Sequence, residues 1–285
     1  MKNWSFTNPK NLMINYRLKK LLNWFGILSL ILISGCSSVP LYHPSTGAID
    51  STEVTDSEAE QAWADVLQRG VNSKGQIDFQ KIAGSPDSLH RFLSYIGRTK
   101  IENPGGSDLA RQKALAFYIN SYNAMAMYGV IHKEFPVDFD SLYDRARFFK
   151  LTTFKVGGRS ISLSNYENNV IRPLNEPRIH FVLNCMVRSC PRLPQVPITA
   201  AKLDEQLDFY AREFFNSEKH VRVDTPNKTV FFSRILGFYK DDFVNEHESE
   251  NLISYANRFR KNPIDESFNV DFIPYDWSVN YQVNP

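Results

Sequence analysis

The sequence lacks the features of a nucleic-acid-binding protein. Its formal net charge is only +2 over 285 residues, and no basic cluster is interleaved with aromatic residues. Such a basic patch is the electrostatic footprint of nucleic-acid binding, so we expect no nucleic-acid partner. Internal repeats are absent, and so are low-complexity tracts beyond residue 55. The 42% apolar and 13% aromatic content instead provides for a substantial folded core.

Cysteine is scarce, and the first of the three cysteines ends an apolar run. Arg17, Lys19 and Lys20 precede LLNWFGILSLILISGC, which is too short and wrongly flanked for an ordinary membrane span and indicates a secretory signal. Its end, Ile33 to Cys36, resembles the lipobox of bacterial lipoproteins, in which the cysteine receives a lipid. A transmembrane anchor with an incidental cysteine is the alternative.

These features predict three segments. Residues 1–35 form a lipoprotein signal peptide, for which Met13 is a second candidate start, and 36–55 form a flexible tether rich in Ser, Thr, Pro and Gly. Residues 56–285 form a single domain. Because Ser37 rather than aspartate follows Cys36, we expect lipid anchoring at the outer membrane, facing the periplasm.

The periodicity of apolar residues predicts an α+β fold with helices around a mostly antiparallel sheet. The longest helix is expected over 109–135, and a helix over 199–216 is expected to begin at Thr199 as its N-cap. Other expected helices and strands follow the same patterns: helices at 58–71, 87–98, 233–244 and 251–261, hairpins at 154–163 and 220–232, and strands at 179–185 and 268–273.

The segment RIHFVLNCMVRSCPRLP (178–194) holds the remaining two cysteines. In the expected strand 179–185, alternation puts His180 and Asn184 on one face and Cys185 on the other. Cys190 follows in a loop that can return its thiol to His180, as a Cys–His nucleophile pair requires. Glu167 is the candidate to orient the imidazole, and Asn184 the candidate oxyanion donor.

Several other interpretations of these residues stay open. In an oxidising compartment Cys185 and Cys190 can form a disulfide across four intervening residues. They can equally be buried free thiols. Zinc bound by His180 and both cysteines is a further alternative, although paired C-x₂-C spacings are absent. His180 alone is more often a satisfied core histidine.

Asn120 and Asn123 share one face of an otherwise apolar helix. Buried amides need hydrogen-bond partners. The simpler interpretation is that they bond to a neighbouring loop backbone. The other is that they line the same cleft as His180 and contact substrate.

Five motifs together resemble a known family. In order, they are LAFYINSYNAMAMYGVI, FKVGGRSISLSNYENNVIR, EPRIHFVLNCMVRSCPRLP, SRILGFYKDDF and YDWSVN. They are similar to the bacterial and plant family of domain of unknown function 547, over roughly residues 60–280. The resemblance implies a papain-like cysteine hydrolase fold and hydrolysis of small γ-glutamyl or peptide amide bonds, such as that of glutathione.

Carried over by motif, Cys190 matches the nucleophile, His180 the base and Glu167 the acidic position. Asn168 stands where the family usually has histidine, which puts activity or specificity in doubt. No metal or organic cofactor is required, and the expected partners are a small peptide-like or γ-glutamyl substrate and the membrane, through lipid on Cys36. The alternatives are a non-catalytic ligand- or partner-binding envelope lipoprotein with a Cys185–Cys190 disulfide, and peptidoglycan remodelling by the same cysteine chemistry.

Overall fold

Helices make up most of the described residues before the first hairpin. The structure is a computed structural model that describes residues 54–101, 104–133 and 138–282. The helices of this first part are α1 (Asp56–Gly70), α2 (Phe79–Gly84), α3 (Asp87–Arg98), α4 (Asp108–His132) and α5 (Leu142–Arg145), which continues into a π-helical turn (Ala146–Leu151). They confirm the helices expected near 58–71, 87–98 and 109–135. None of the helices in these ranges is long and apolar enough to cross a bilayer.

Local sequence explains where α1 begins. The Thr55 hydroxyl accepts from the Glu58 backbone N–H, and the Glu58 carboxylate accepts from the Thr55 N–H, which makes a capping box. The helix then buries Trp63, which stacks on Phe92 of α3 at 5.5 Å between ring centroids. The capped end and the apolar face together fix α1 against α3.

The central helix α4 is buried on all sides from Leu115 to Val130, apart from Phe117. A helix that is apolar all round belongs in the middle of a protein. It begins at Ser107, whose hydroxyl accepts from the Ala110 N–H. Helix α4 therefore serves as the support on which the loops of the second half rest.

Two small sheets form in the second half, and both predicted hairpins are confirmed. Strands β1 (Thr153–Val156) and β2 (Arg159–Ser162) are antiparallel, and they turn at two glycines with φ of +55° and +78°. Strands β3 (Val221–Asp224) and β4 (Thr229–Ser233) are also antiparallel, while β5 (Asn269–Ile273) pairs with β4 in parallel. Helices with small, mostly antiparallel sheets make the described chain α+β, as predicted.

Short helices connect these strands. They are α6 (Leu163–Tyr166), a π-helical turn (Glu167–Ile171), 3₁₀ turns (Arg172–Leu174, Pro177–Phe181 and Ala200–Lys202), α7 (Leu203–Phe215), α8 (Arg234–Phe238), α9 (Lys240–Phe243) and α10 (Leu252–Asn257). The helix expected over 233–244 is thus two short helices that meet at Tyr239. Thr199 is not the cap of the main helix, because the 3₁₀ turn intervenes and the Thr199 side chain makes no capping bond.

The strand expected over 179–185 is wrong. Residues Pro177–Phe181 form a 3₁₀ helix, and the chain then continues as an irregular loop. Pro177 fits the start of a helical turn, where its missing N–H is not needed. The side chain of Glu176 caps this turn by accepting from the Arg178 N–H. The separation of His180 and Cys185 onto opposite strand faces therefore does not hold.

The last described segment, residues 275–282, crosses the molecule beyond β5. Single backbone bridges join Val279 to Val187, Ser278 to Asp138 and Tyr281 to Ile77. This segment links the first helices to the loop that carries the cysteines.

Candidate functional site

A cavity of about 160 Å³ lies beside the two cysteines. Its walls come from the α6 region, the 3₁₀ turn at residue 180, the cysteine loop, α8 and the 275–282 segment. The lining is rich in aromatic rings and holds a few polar side chains and both sulfurs: Tyr122, Phe149, Phe238, Tyr239, Tyr275, Trp277, Ser164, Glu167, Asn168, His180, Cys185 and Cys190. An apolar cavity with a few convergent polar groups is the common form of a small-molecule site.

Cys185 and Cys190 form a disulfide, with 6.2 Å between their Cα atoms. Cys190 is 2% exposed, while Cys185 is partly exposed. The Cys185 backbone N–H donates to Cys190 Sγ at 3.1 Å. The Tyr275 hydroxyl lies 3.3 Å from Cys185 Sγ and 3.6 Å from Cys190 Sγ. Both sulfurs thus contact polar hydrogens at the cavity wall.

Asn184 holds the loop between the two cysteines in shape. Its amide nitrogen donates to the Pro191 carbonyl and its amide oxygen accepts from the Met186 N–H, each at 2.7 Å. Met186 has φ of +66°, a strained value for this residue type, which the bond from its N–H helps to hold. Asn184 is fully buried and does not line the cavity. The expected oxyanion role of Asn184 therefore has no geometric support.

His180 is 2% exposed, and its ring is fixed on two sides. Its Nε2 lies 2.7 Å from Asp242 Oδ2, and its ring stacks on Tyr239 at 4.0 Å between centroids. The sequence pattern assigned the orienting carboxylate to Glu167, and the structure places Asp242 there instead. The two residues are 62 positions apart, so local spacing could not show the contact.

Arg172 completes the contacts of Asp242. Its guanidinium donates to both carboxylate oxygens, at 2.7 and 2.6 Å. Partial burial alone would raise the pKa of Asp242, but the hydrogen bonds from His180 and Arg172 outweigh it and hold the pKa well below its ordinary value. The ion pair with Arg172 thus helps to keep Asp242, the hydrogen-bond partner of His180, ionised.

Glu167 is 7% exposed and lines the cavity from the π-helical turn. The hydroxyls of Tyr122 and Tyr239 lie close enough to share hydrogen bonds with it. The neighbouring Asn168 donates to the Ser164 carbonyl and accepts from Arg172. Asn168 is thus connected to His180 through Arg172 and Asp242.

The two asparagines of α4 hold loops in place. Asn120 donates to the Ile198 carbonyl at 2.7 Å, and its oxygen accepts from the Ile198 N–H and the Trp63 indole. Asn123 donates to the Val182 carbonyl and accepts from the Asn184 N–H. The interpretation that loop backbone satisfies both amides is confirmed. Neither residue lines the cavity beside His180, so the cleft-lining alternative is wrong.

Asp242, Arg172 and Tyr275 were not predicted for the site. Asp242 belongs to the KDDF end of SRILGFYKDDF, and Tyr275 belongs to YDWSVN, so both lie in motifs that mark the chain. A charged residue in such a motif is the signal that could have identified Asp242. In residues 54–101, 104–133 and 138–282, no group of three or more His, Cys, Asp and Glu side chains is arranged to hold a metal. Disulfide sulfurs carry no thiolate charge, so zinc bound through both cysteines does not fit this arrangement.

Comparison with protein families supports the resemblance over part of the chain. The family described as "Protein of unknown function, DUF547" matches residues 107–215. This segment includes α4, Glu167, His180 and both cysteines of the disulfide, but not Asp242 or Tyr275. No curated protein and no solved structure is significantly similar to the chain. The relation to papain-like hydrolases stays a prediction.

Proposed function

We propose that the chain is a cysteine hydrolase of small amide bonds, of the γ-glutamyl or peptide kind, held at the bacterial cell envelope by lipid on Cys36. One observation carries the catalytic part of the proposal. His180, hydrogen-bonded to an ionised Asp242, lines the same cavity as Cys190, whose Sγ lies 3.6 Å from the Tyr275 hydroxyl of that cavity. A base with its own orienting carboxylate beside a cysteine is the arrangement that activates a thiol nucleophile. Cys36 lies outside the described residues, so the anchor rests on sequence alone.

Reduction of the disulfide comes first. A dithiol reductant attacks the more exposed sulfur, that of Cys185, and Cys190 leaves as a thiolate. The second thiol of the reductant then displaces Cys185 from the mixed disulfide, so the dithiol is oxidised and both cysteines are reduced. The groups that already contact Cys190 Sγ, the Cys185 N–H and the Tyr275 hydroxyl, stabilise the thiolate.

Hydrolysis then follows in two steps. The Cys190 thiolate attacks the amide carbonyl, and protonated His180 gives its proton to the leaving amine. Water, deprotonated by His180, next cleaves the thioester and releases the acid. Burial raises the pKa of Tyr275 well above its usual value, and the charge of Glu167 adds to this. The hydroxyl of Tyr275 therefore stays protonated and is the donor we assign to the developing oxyanion, in place of Asn184.

The test is turnover of a panel of γ-glutamyl amides by the purified chain after reduction. Cys190→Ala should abolish turnover, because it removes the nucleophile. Cys185→Ser is the matched control, since it removes the other half of the disulfide and leaves Cys190 free. It should be active without added reductant. Unchanged turnover in Cys190→Ala would end the proposal.

A second candidate is a non-catalytic binding protein in which the disulfide is a structural staple. The observation in its favour is the disulfide itself, with Cys190 almost fully buried. Titration of thiols separates the two functions. A staple resists mild dithiol treatment of the folded chain, whereas the hydrolase releases two thiols and gains activity in step. Action on peptidoglycan would use the same residues and differ only in the substrate that is cleaved.

A further inference from the structure

Glu167 is a buried carboxylate that the proposed hydrolysis does not use. It faces the cavity, and the nearby guanidinium of Arg172 makes its ion pair with Asp242 instead. In the part of the chain that the structure describes, no ion pair includes Glu167. Buried charges in proteins are ordinarily paired, so this carboxylate has room for a cation.

The hydroxyls that share hydrogen bonds with Glu167 are uncharged. Burial is the main cause that raises the pKa of Tyr122 and Tyr239 well above the ordinary value, and the negative charge of Glu167 is the second. Both hydroxyls therefore stay protonated and donate toward the carboxylate. Such donors satisfy the carboxylate oxygens but supply no opposite charge.

Two cations near the cavity already have other partners. Arg172 makes its ion pair with Asp242, and Arg145 donates to the carbonyls of Phe139 and Asp140. A primary ammonium group in the cavity would supply the carboxylate of Glu167 with a cation of its own.

Aromatic rings surround the cavity beside this charge. Arg145 already lies over the Trp277 ring at 4.5 Å, and Arg172 over the Tyr239 ring at 5.3 Å. Phe238 and Tyr275, whose centroids are 5.5 Å apart, have no guanidinium over them among the described residues. The faces of such rings attract cations, so these two rings favour the same kind of ligand as Glu167.

We propose that Glu167, with the rings of Phe238 and Tyr275, forms a subsite for a primary ammonium group. The substrates of the hydrolase are then small amides that carry a free amino group, and not their N-acylated forms. At about 160 Å³ the cavity admits only a short amine-bearing portion. The assignment to a substrate rests on the proposed hydrolase, but the binding of an ammonium group does not.

Binding is tested with the oxidised chain, where no catalysis occurs. The probes are n-butylammonium, 1-butanol and butyrate, which share a chain length and differ in charge, and ligand-observed NMR gives their dissociation constants. The ammonium should bind roughly ten-fold or more tighter than the alcohol, because it meets the carboxylate. Equal binding of ammonium and alcohol by the unaltered chain overturns the proposal, whatever any variant does.

Glu167→Gln keeps the shape of the side chain and removes its charge. It should bring the affinity for n-butylammonium down to that for 1-butanol. Glu266→Gln is the matched control, since Glu266 is exposed and far along the chain in the turn before β5. It should leave the preference for ammonium intact. A folded Glu167→Gln variant with the full preference overturns the assignment.

Turnover distinguishes the two proposals. The reduced chain should cleave a γ-glutamyl amide with kcat/KM roughly ten-fold or more above that for its N-acetylated form, and Glu167→Gln should erase this ratio. Ammonium binding without turnover of either amide supports the subsite and rejects the hydrolase. Equal turnover of both amides, with no preference for ammonium in binding, rejects the subsite and leaves the hydrolase standing.

Discussion

Asp242 determines what His180 can do as a base. The contact of 2.7 Å to Nε2 fixes the orientation of the ring. Because Arg172 bonds to both oxygens of Asp242, the carboxylate stays ionised and in place. A charged partner of this kind stabilises the imidazolium that forms when His180 takes a proton.

Replacing Asp242 by asparagine should lower kcat for amide hydrolysis by about 10²–10⁴-fold, the usual worth of general acid–base catalysis. Asp241→Asn is the matched control, since Asp241 is the exposed neighbour in the same helix. A common loss in both variants would mean that the short helix α9, not the contact to His180, was disturbed.

His220 is a second buried histidine, and it affects stability rather than the site. Its ring stacks on Phe214 at 4.2 Å between centroids. Burial first, and the charge of Lys219 second, lower its pKa from 6.5 to about 3. Between these values the unfolded chain binds a proton that the folded chain does not. The stability due to neutral His220 is therefore complete above pH 6.5 and is lost as the pH falls from 6.5 toward 3.

Urea unfolding at about pH 7 and about pH 5 measures this effect. Below the ordinary pKa, the free energy of unfolding due to neutral His220 should fall by about 1.4 kcal/mol per pH unit. His220→Phe keeps a ring for the stack and does not titrate. We expect its loss of stability over this interval to be smaller than that of the unaltered chain by about 2 kcal/mol. His90, whose pKa burial also lowers, is present in both proteins and cancels in the comparison. Equal losses in the two proteins would show that His220 is not buried in its neutral form.

Among the elements, the cysteine loop is held in shape by two side-chain amides, one on helix α4 and one within the loop. Asn123 on α4 binds both ends of the 182–184 stretch, and Asn184 binds Met186 and Pro191. The loop is thus fixed to the central helix without belonging to a sheet. The position of the disulfide follows from these bonds.

Asn184→Ala should destabilise the oxidised chain, because the Pro191 carbonyl and the Met186 N–H lose their hydrogen-bond partner. Each buried group left without a partner costs about 1–3 kcal/mol. Denaturant unfolding measures the loss, and Asn262→Ala, at an exposed position, should change stability little. The opposite pattern, unchanged stability with lost turnover, would restore Asn184 as an oxyanion donor.

The sequence predicted elements whose signal is local. Periodic apolar residues located α1, α3 and α4, and two glycines located the first hairpin. Each of these patterns lies within one element and depends on the chain's own geometry. Such elements can be predicted without knowledge of the tertiary structure.

Other features depended on residues far along the chain. The stretch IHFVLNC has the apolar character of a strand, yet no neighbouring strand pairs with it, and the amide of Asn123 satisfies its backbone instead. The partner of His180 lies 62 residues away, and Tyr275 lies 85 residues beyond Cys190. Spacing within a motif cannot show such contacts. The sequence therefore predicted which types of residue form the site, but not which residues contact His180 and Cys190.

For the whole molecule, we expect lipid on Cys36 to determine the compartment in which the cavity lies. Cys36→Ser should prevent labelling of the chain by a fatty acid during growth. It should also move the chain from the membrane fraction to the supernatant. Cys185→Ser is the control, because it removes a cysteine that is not expected to carry lipid. An unaltered chain without label, together with a Cys36→Ser variant that stays in the membrane fraction, would favour the alternative of a transmembrane anchor.

The segment 275–282 bears on the order in which the molecule is assembled. The two cysteines are five residues apart and can meet within a short loop, whereas Tyr275 and Trp277, which cover them, follow some 85 residues later along the chain. Contacts between distant residues form later than local ones because they close longer loops. We therefore expect that an oxidant can reach the sulfurs before Tyr275 and Trp277 pack beside them, so that closing the cavity is a later step of folding than making the bond.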